Sequence, residues 1–325
     1  MNKFDYIGHE YQLYGKQEYI LTSSLGNGCK IWHIKNGLGL EMYINLDRGF
    51  DIVSLTIDGK NISYLTPNGY VNSKYYDDKK DGFLKSFSAG FLTTCGLTQV
   101  GSANVDNNEE LPLHGTYSNI PCENANYEED EDYLICKALI LDEKIFSHKL
   151  ILKRTIKISK KENKFIVNDV ISNRGDEITP LEILYHINLG YPFLDEEAIL
   201  SINSSEIKPR NKYAEEDIKN YQIIHEPKPN IQEKCYYHKF NTFGEVKVYQ
   251  PKLNKEIIIN FDNNVLPFLT EWKMLRVRDY VLGLEPGNCF PDGRNVARKE
   301  GYLQFIKPNQ TKQYEFEVKI IDRRK

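Results

Sequence analysis

The sequence predicts an all-β protein, built as a large antiparallel β-sandwich with few short helices. More than a dozen short strand-like runs are separated by turn signals about every 8 to 12 residues, a spacing typical of sandwiches. Over residues 147–159, apolar and polar side chains alternate with a period of two, so Leu150 and Ile156 share a core face while Lys153 faces solvent. Only residues 214–221 form a convincing helical segment.

Residues 19–62 are predicted to form a β-meander. Short β-rich runs in this stretch are interrupted by the dipeptides Asn36-Gly37 and Asp58-Gly59. Both dipeptides tolerate the positive φ angles that a type I′ turn requires, so each predicts a hairpin.

Longer strands are predicted in the second part of the chain, over residues 133–141, 147–159, 164–172, 178–189 and 313–320. Shorter strands are expected near Cys235, Val246, Ile257 and Phe268. No repeat, low-complexity tract or linker divides these elements. We therefore expect a single domain over residues 1–325, with residues 1–18 as an N-terminal extension packed on it.

Composition excludes several functional classes. The 325 residues include 42 basic and 46 acidic side chains, for a net charge of −4, and the lysines are scattered instead of clustered. This distribution argues against binding to nucleic acid or to an anionic membrane surface. Neither a signal-peptide core nor about 18 uninterrupted apolar residues is present, so a cytoplasmic location is expected. Monomer and homodimer both remain open.

Cofactor and metal motifs are missing from the sequence. The six cysteines are dispersed without a C-x-x-C pair, which argues against a zinc knuckle or a disulfide scaffold and predicts reduced thiols. Neither a dinucleotide fingerprint, nor a P-loop, nor a G-x-S-x-G elbow occurs. We predict no cofactor and no metal, although His114, His186 and a carboxylate could in principle form a dispersed metal site.

Glu285 ends an apolar strand-like run and is followed directly by the Pro286-Gly287-Asn288 turn. A carboxylate at this position can be partly desolvated and still face a ligand, as a general base requires. The alternative is a solvated glutamate that merely opens a loop.

Two histidines are candidate acids. His186 lies in an apolar run, and alternation places it on the same strand face as Leu184 and Asn188. A buried imidazole needs a partner, so His186 and Asn188 predict either a polar pocket or a satisfied pair in the core. His114 lies in the stretch LPLHG, where Gly115 allows close approach of a ligand. It could instead be a loop histidine bonded to a nearby carbonyl.

Further side chains are candidates for substrate binding. Trp272 offers a ring for stacking on a sugar, with Lys273 beside it, although a tryptophan in the core is equally consistent. Arg48 interrupts strand-like sequence and Arg210 follows a proline, and either could form a surface ion pair instead. Cys95 lies in a small-residue stretch and is expected to shape the site without acting as a nucleophile.

Five stretches, in this order along the chain, carry a resemblance: LDRGFDI, GFLTTCGL, LPLHG, LYHINLGYP and GLEPGNC. Together with a downstream Gly-Arg pair, they resemble the aldose 1-epimerase (galactose mutarotase-like) superfamily, in particular its branch of bacterial sugar-epimerase-like proteins. The resemblance extends from about Arg48 to the C-terminus. It implies a β-sandwich of the supersandwich type with a carbohydrate cleft on one concave face.

The resemblance also implies roles for individual residues. Glu285 would take the proton of the anomeric hydroxyl, His186 would protonate the ring oxygen, and His114 would be a second imidazole nearby. The chain departs from the family pattern at Thr116, where a glycine is usual, and at Tyr185, where an asparagine precedes the histidine. It also lacks a secure counterpart of the substrate-binding aspartate, which leaves the sugar open.

The leading functional hypothesis is therefore an aldose 1-epimerase, an isomerase that interconverts the α and β anomers of a monosaccharide or of a related acidic or deoxy sugar. Opening a cyclic hemiacetal needs one proton removed and one delivered, for which an acid and a base on opposite sides of the ring would suffice, without a cofactor. One alternative is a non-catalytic carbohydrate-binding or sugar-sensing protein. Another is a metal-dependent sugar isomerase.

Overall fold

A computed structural model describes residues 3–323, which form mainly β-strands. The strands are β1 Gly15–Ile20, β2 Lys30–Lys35, β3 Leu40–Asn45, β4 Asp51–Ile57, β5 Lys60–Asn61, β6 Tyr64–Leu65, β7 Ala89–Gly90, β8 Leu92–Leu97, β9 Asn104–Asp106, β10 Glu109–Leu111, β11 Glu123–Glu129, β12 Tyr133–Glu143, β13 Lys149–Ser159, β14 Lys164–Asn173, β15 Thr179–Leu189, β16 Ile199–Ile202, β17 Glu206–Pro209, β18 Lys234–Lys239, β19 Gly244–Gln250, β20 Lys255–Phe261, β21 Phe268–Arg276, β22 Asp279–Gly287, β23 Gln304–Ile306 and β24 Thr311–Asp322.

Helices are short. The α-helices in the described part of the chain are α1 Lys212–Glu215 and α2 Arg294–Lys299. Single turns of 3₁₀ helix cover Lys3–Tyr6, Glu10–Gln12, Ser24–Gly26, Ser73–Tyr75, Gly82–Lys85, Tyr117–Asn119 and Ile218–Asn220. The helix predicted over residues 214–221 is thus divided between α1 and a 3₁₀ turn, and α2 was not predicted. Between residues 3 and 323 no helix is long and apolar enough to cross a membrane.

Three antiparallel sheets organise the chain. The large sheet has the order β11-β12-β13-β14-β24-β20-β19-β16. The site sheet has the order β17-β18-β21-β22-β15-β23, and β8 also pairs with β15. The N-terminal sheet contains β1 to β5 in sequence order. Residues 15–18, expected in an N-terminal extension, are therefore part of β1, and the single-domain interpretation stays a prediction.

The main hydrophobic core lies between the large sheet and the site sheet. It includes Ile156 and Phe316 of the large sheet together with Ile187 and Leu282 of the site sheet. Alternation along β15 turns Ile187 into this core, so its neighbour His186 points to the opposite face of the site sheet. The predicted all-β architecture is confirmed, and the site lies on the face of the site sheet that the core leaves free.

The predicted strands of the second half are confirmed within two residues at each end, because their period-two patterns are long. The β2–β3 and β4–β5 hairpins are also confirmed. Asp58 and Gly59 both have positive φ, as a type I′ turn needs. The prediction of this turn type at Asn36-Gly37 is wrong, because the buried Asn36 side chain accepts from the backbone of Leu38 and Leu40 and closes a longer loop.

A buried ion network connects several strands behind the site. Arg154 of β13 is fully buried, and its guanidinium lies 2.6 Å from Asp51 Oδ1 and 2.6 Å from Asp169 Oδ2. It also donates to Thr94 Oγ1, while the hydroxyl of Tyr185 donates to Asp169 Oδ2. Asp51, Thr94 and Tyr185 belong to three of the stretches that carry the family resemblance. Much of that resemblance therefore reflects the core that supports β15, and not ligand contacts.

Candidate active site

A cavity of about 280 Å³ lies on the free face of the site sheet. Its volume is slightly below the range of about 300–1,000 Å³ found for sites that hold drug-sized ligands, so it suits a single sugar ring. The floor comes from β15, β21 and β22, and the walls come from loops that reach over the sheet. The lining residues are Phe83, Leu84, Phe87, Ser102, Leu113, His114, His186, Arg210, Glu233, Cys235, Thr270, Trp272, Glu285 and Pro291.

Glu285 and His186 meet at the bottom of the cavity. They lie on the neighbouring strands β22 and β15, whose register pairs Leu284 with Ile187. Glu285 Oε1 is 3.2 Å from His186 Nε2, and both side chains are at least 95% buried. Neither Glu285 Oε1 nor His186 Nδ1 has an aligned hydrogen-bond partner. Both side chains therefore retain hydrogen-bonding capacity for a ligand.

Burial sets the protonation of this pair. It raises the pKa of Glu285 well above its usual value, with Glu233 adding to the shift and Arg210 opposing it. Burial lowers the pKa of His186 to about 4. At neutral pH His186 is therefore a neutral imidazole, and burial favours the protonated carboxyl group of Glu285 beside it, so that the pair shares one proton.

The expectation that acid and base lie on opposite sides of a sugar ring is wrong. A separation of 3.2 Å leaves no room for a ring between the two groups. The observed arrangement still suits ring opening, because the anomeric and ring oxygens are bonded to the same carbon. Two adjacent groups can contact both oxygens from one side.

His114 lies beside this pair. Its ring centre is 5.7 Å from that of His186, and burial lowers the pKa of His114 to about 3. His114 Nδ1 has no hydrogen-bond partner, so the alternative in which a carbonyl satisfies this nitrogen does not hold. Gly115 was expected to allow close approach of a ligand, but it instead allows close packing of the backbone. A Cβ at this position would lie 2.4 Å from the carbonyl oxygen of Gly96.

Trp272 and Arg210 form the wall nearest the mouth. The ring of Trp272 is 5.2 Å from that of His186 in an edge arrangement. The indole nitrogen of Trp272 donates to Glu233 Oε2 over 2.7 Å. Arg210 Nη1 lies 3.7 Å from Glu233 Oε1, and Arg210 Nε lies 3.1 Å from Asp292 Oδ1. Glu233 therefore holds Trp272 in place and partly neutralises Arg210.

The comparison with protein families decides the membership of this chain. The family model for the domain of unknown function (DUF4432) matches residues 26–320. This range includes the site sheet, nearly all of the large sheet and the residues that line the cavity. The chain belongs to the DUF4432 family. No curated protein matches the chain by sequence.

Solved structures show which fold the DUF4432 chain has. A candidate aldose 1-epimerase from Klebsiella pneumoniae superposes with a TM-score of 0.89 at 23% identity, covering 97% of this chain and 87% of the other. A galactose mutarotase-like protein from Clostridium acetobutylicum superposes with a TM-score of 0.71 at 14% identity, covering 96% and 99%. A candidate mutarotase from Salmonella typhimurium gives 0.63 at 10% identity, covering 95% and 94%. The DUF4432 chain therefore has a galactose mutarotase-like fold.

Lys273 and Arg48 do not line the cavity, so the expectation that they bind substrate there is wrong. Lys273 follows Trp272 in β21, and the period of two turns it to the opposite side of the sheet, where it donates to the carbonyl of Tyr221. Arg48 is buried near the N-terminal sheet and donates to the carbonyl of Val71 over 3.1 Å.

Asn188 lies on the predicted strand face but behind His186, and it does not line the cavity. Its amide donates to the carbonyl of His186 over 2.8 Å, and its side chain favours the protonated imidazole. Asn188 is thus placed to orient His186 instead of contacting a ligand. Among residues 3–323, no cluster of three or more His, Cys, Asp or Glu side chains could hold a metal ion.

Cys95 also lies outside the lining, which corrects the expectation that it shapes the cavity. It is completely buried in a small cluster with Val100, Leu184 and Cys289, and burial raises its thiol pKa well above the usual value. If the protein exchanges sugar anomers, as the sequence predicts, we expect Cys95→Ser to retain at least half of the parent's exchange rate, because the thiol lies outside the cavity lining. Turnover of purified Cys95→Ser, measured beside the parent, checks this, and a loss beyond tenfold would assign Cys95 to the site.

Several lining residues were not predicted from the sequence. Thr270 shares the cavity face with Trp272 by alternation along β21, a signal that could have been used. Phe83 lies on the 3₁₀ turn Gly82–Lys85, Phe87 follows that turn, and Glu233 directly precedes β18. These three residues have no periodic signal, because irregular segments place their side chains through long-range packing.

Proposed function

We propose that this protein is an aldose 1-epimerase that opens and closes the ring of a monosaccharide with Glu285 and His186. The observation that carries the proposal is the 3.2 Å contact between these two buried, titratable groups at the bottom of a cavity of sugar size. Perturbed acid–base pairs of this kind are typical of catalytic sites. His114 adds an unpartnered nitrogen close to the pair.

The proposed reaction needs one proton taken and one given. A base removes the proton of the anomeric hydroxyl while an acid protonates the ring oxygen, the bond between the anomeric carbon and the ring oxygen breaks, and a carbonyl forms. Rotation about the adjacent carbon–carbon bond followed by the reverse step gives the other anomer. The pair starts and ends each cycle with a single proton, so no cofactor takes part.

The roles within the pair follow from where that proton lies. For Glu285 to act as the base, its proton must first pass to His186 across their contact, and sugar hydroxyls that donate to the carboxylate would favour this transfer. His186 then protonates the ring oxygen, with His114 as a hydrogen-bonding neighbour. Burial of the pair keeps water from competing for these protons.

Interconversion of anomers tests the proposal directly. Freshly dissolved, anomerically pure sugars would be followed by polarimetry, with the spontaneous rate subtracted and exchange confirmed by NMR. We expect at least one monosaccharide to equilibrate faster with the protein. Binding of a sugar without faster equilibration would instead support a carbohydrate-binding or sugar-sensing protein.

The acid limb of the pH profile is expected near pH 4. As pH falls through the His186 pKa of about 4, the imidazole gains a proton, the pair holds two, and no base remains. Since kcat/KM reports the free enzyme, its profile should stay flat from neutral pH down to about 5. A limb at the usual histidine value of 6.5 would contradict the buried, neutral imidazole. Circular dichroism at each pH separates this limb from unfolding.

A further inference from the structure

One part of the cavity lining carries no polar side-chain atoms. Phe83, Leu84, Phe87 and Leu113 form this apolar wall. Phe87 lies 5.5 Å from His186 and Phe83 lies 5.2 Å from His114, measured between ring centres. The wall therefore adjoins both imidazoles, and a sugar that reacts there must place carbons near the reacting centre against it.

In the described chain, the buried polar atoms of the lining that have no hydrogen-bond partner are Thr270 Oγ1, His114 Nδ1, His186 Nδ1 and Glu285 Oε1. In the proposed reaction, the groups of the acid–base pair and His114 serve the anomeric and ring oxygens. Thr270 and the groups at the mouth then remain for all other hydroxyls of the sugar. A fully hydroxylated aldohexose would press hydroxyls against the apolar wall, where they lose water without a new partner.

The charge around the cavity disfavours an anionic sugar. Arg210 is the only lysine or arginine among the residues that line it in the described chain. Its guanidinium already binds Asp292 Oδ1 at 3.1 Å and Ser102 Oγ at 3.1 Å, and Glu233 lies 3.7 Å away. Two carboxylates thus offset the one cation. A phosphate or carboxylate on the substrate would meet net negative charge.

From this wall and this charge balance, we infer that the substrate is an uncharged deoxy sugar, one that presents a carbon without a hydroxyl to Phe83, Leu84, Phe87 and Leu113. The inference rests on the proposed function. It selects deoxy sugars from the three classes that the sequence leaves open, which are ordinary monosaccharides, acidic sugars and deoxy sugars.

Matched pairs of sugars test the inference. Each deoxy sugar is compared with its hydroxylated parent: 2-deoxy-D-glucose with D-glucose, 2-deoxy-D-ribose with D-ribose, and D-fucose with D-galactose. D-Galacturonate and D-glucose 6-phosphate represent charged sugars. We expect at least one deoxy sugar to exceed its parent by tenfold or more in kcat/KM for anomer exchange, and both charged sugars to fall below the best neutral one. If every parent equals or exceeds its deoxy form, or if a charged sugar is best, the inference is overturned.

Calorimetric binding of the same sugars separates this inference from the proposed reaction. If a deoxy sugar binds with a tenfold lower Kd than its parent but no anomers are exchanged, the inference of a deoxy-sugar ligand stands and the proposed epimerase activity is refuted. Exchange of hydroxylated parents in preference to deoxy sugars would retain the epimerase and refute the ligand class. The absence of both binding and exchange would overturn both.

Glu233→Gln provides a matched test of the charge argument. The amide oxygen of Gln can still accept from Trp272, while one of the two carboxylates near Arg210 is removed. The side chain of Glu233 is 47% exposed, so the variant should fold normally. We expect the ratio of kcat/KM for D-galacturonate to that for the best neutral sugar to rise severalfold at low salt. An unchanged ratio would contradict the charge argument.

Discussion

Glu285→Gln is expected to reduce anomer interconversion by about 10²–10⁴-fold while leaving sugar binding nearly intact. The amide keeps the size of the carboxyl group but can neither accept the proton of the anomeric hydroxyl nor pass one to His186, 3.2 Å away. The loss corresponds to about 3 to 5 kcal/mol of transition-state stabilisation and should appear mainly in kcat. Initial rates from polarimetry and calorimetric Kd values, measured with the sugar that the parent prefers, check the two halves of this prediction.

Thermal stability provides the control for this variant. Since burial raises the pKa of Glu285, the unfolded chain releases this proton near 4.5 and the folded chain only at higher pH. As pH rises above 4.5, the free energy of unfolding of the parent therefore falls. Glu285→Gln has no carboxyl group at this position and does not undergo this loss. The variant should melt at a higher temperature than the parent at pH 8, with a smaller difference at pH 5. Near-parent turnover by Glu285→Gln would exclude Glu285 as the base.

Arg154→Met is expected to destabilise the fold by about 3 to 5 kcal/mol, which is typical when one partner of a buried ion pair is removed. Arg154 is fully buried between Asp51 and Asp169. Burial already raises the pKa of Asp51 although Arg154 opposes the shift, so loss of the guanidinium leaves two carboxyl groups without their cation. Urea unfolding followed by circular dichroism measures the change in the free energy of unfolding.

Lys208→Met is the control. Lys208 Nζ lies 2.8 Å from Glu206 Oε1, and both side chains are exposed, at 64% and 41%. Solvent screens this pair, so its removal should change stability little. The deficit of Arg154→Met should also shrink as pH falls toward 4, because loss of Arg154 raises the pKa of Asp51 further and a protonated Asp51 needs no cation. Equal losses of unfolding free energy in both variants would show that the buried ion network does not stabilise the fold more than an exposed ion pair does.

Alternation made part of the site predictable. His186 and Asn188 were placed on one face of β15, and that face is the one turned away from the core. The same rule places Trp272 and Lys273 on opposite sides of the sheet, because neighbouring residues in a strand point to opposite sides. Naming both as binding candidates on the basis of the sequence did not apply this rule. Glu285 was identified because an apolar strand ends near a carboxylate.

The all-β class, the long strands and the candidate residues Glu285, His186 and His114 were predictable from the sequence, because these depend on local periodicity, side-chain chemistry and short motifs. Which of the candidates share a cavity depends instead on contacts between residues far apart in the sequence. Arg210 reaches Asp292 across 82 positions of sequence, whereas Arg48 donates to the carbonyl of Val71 and does not line the cavity. The apolar wall and the burial that shifts the pKa values of Glu285 and His186 also arise from long-range packing, which brings together groups that no local sequence pattern connects.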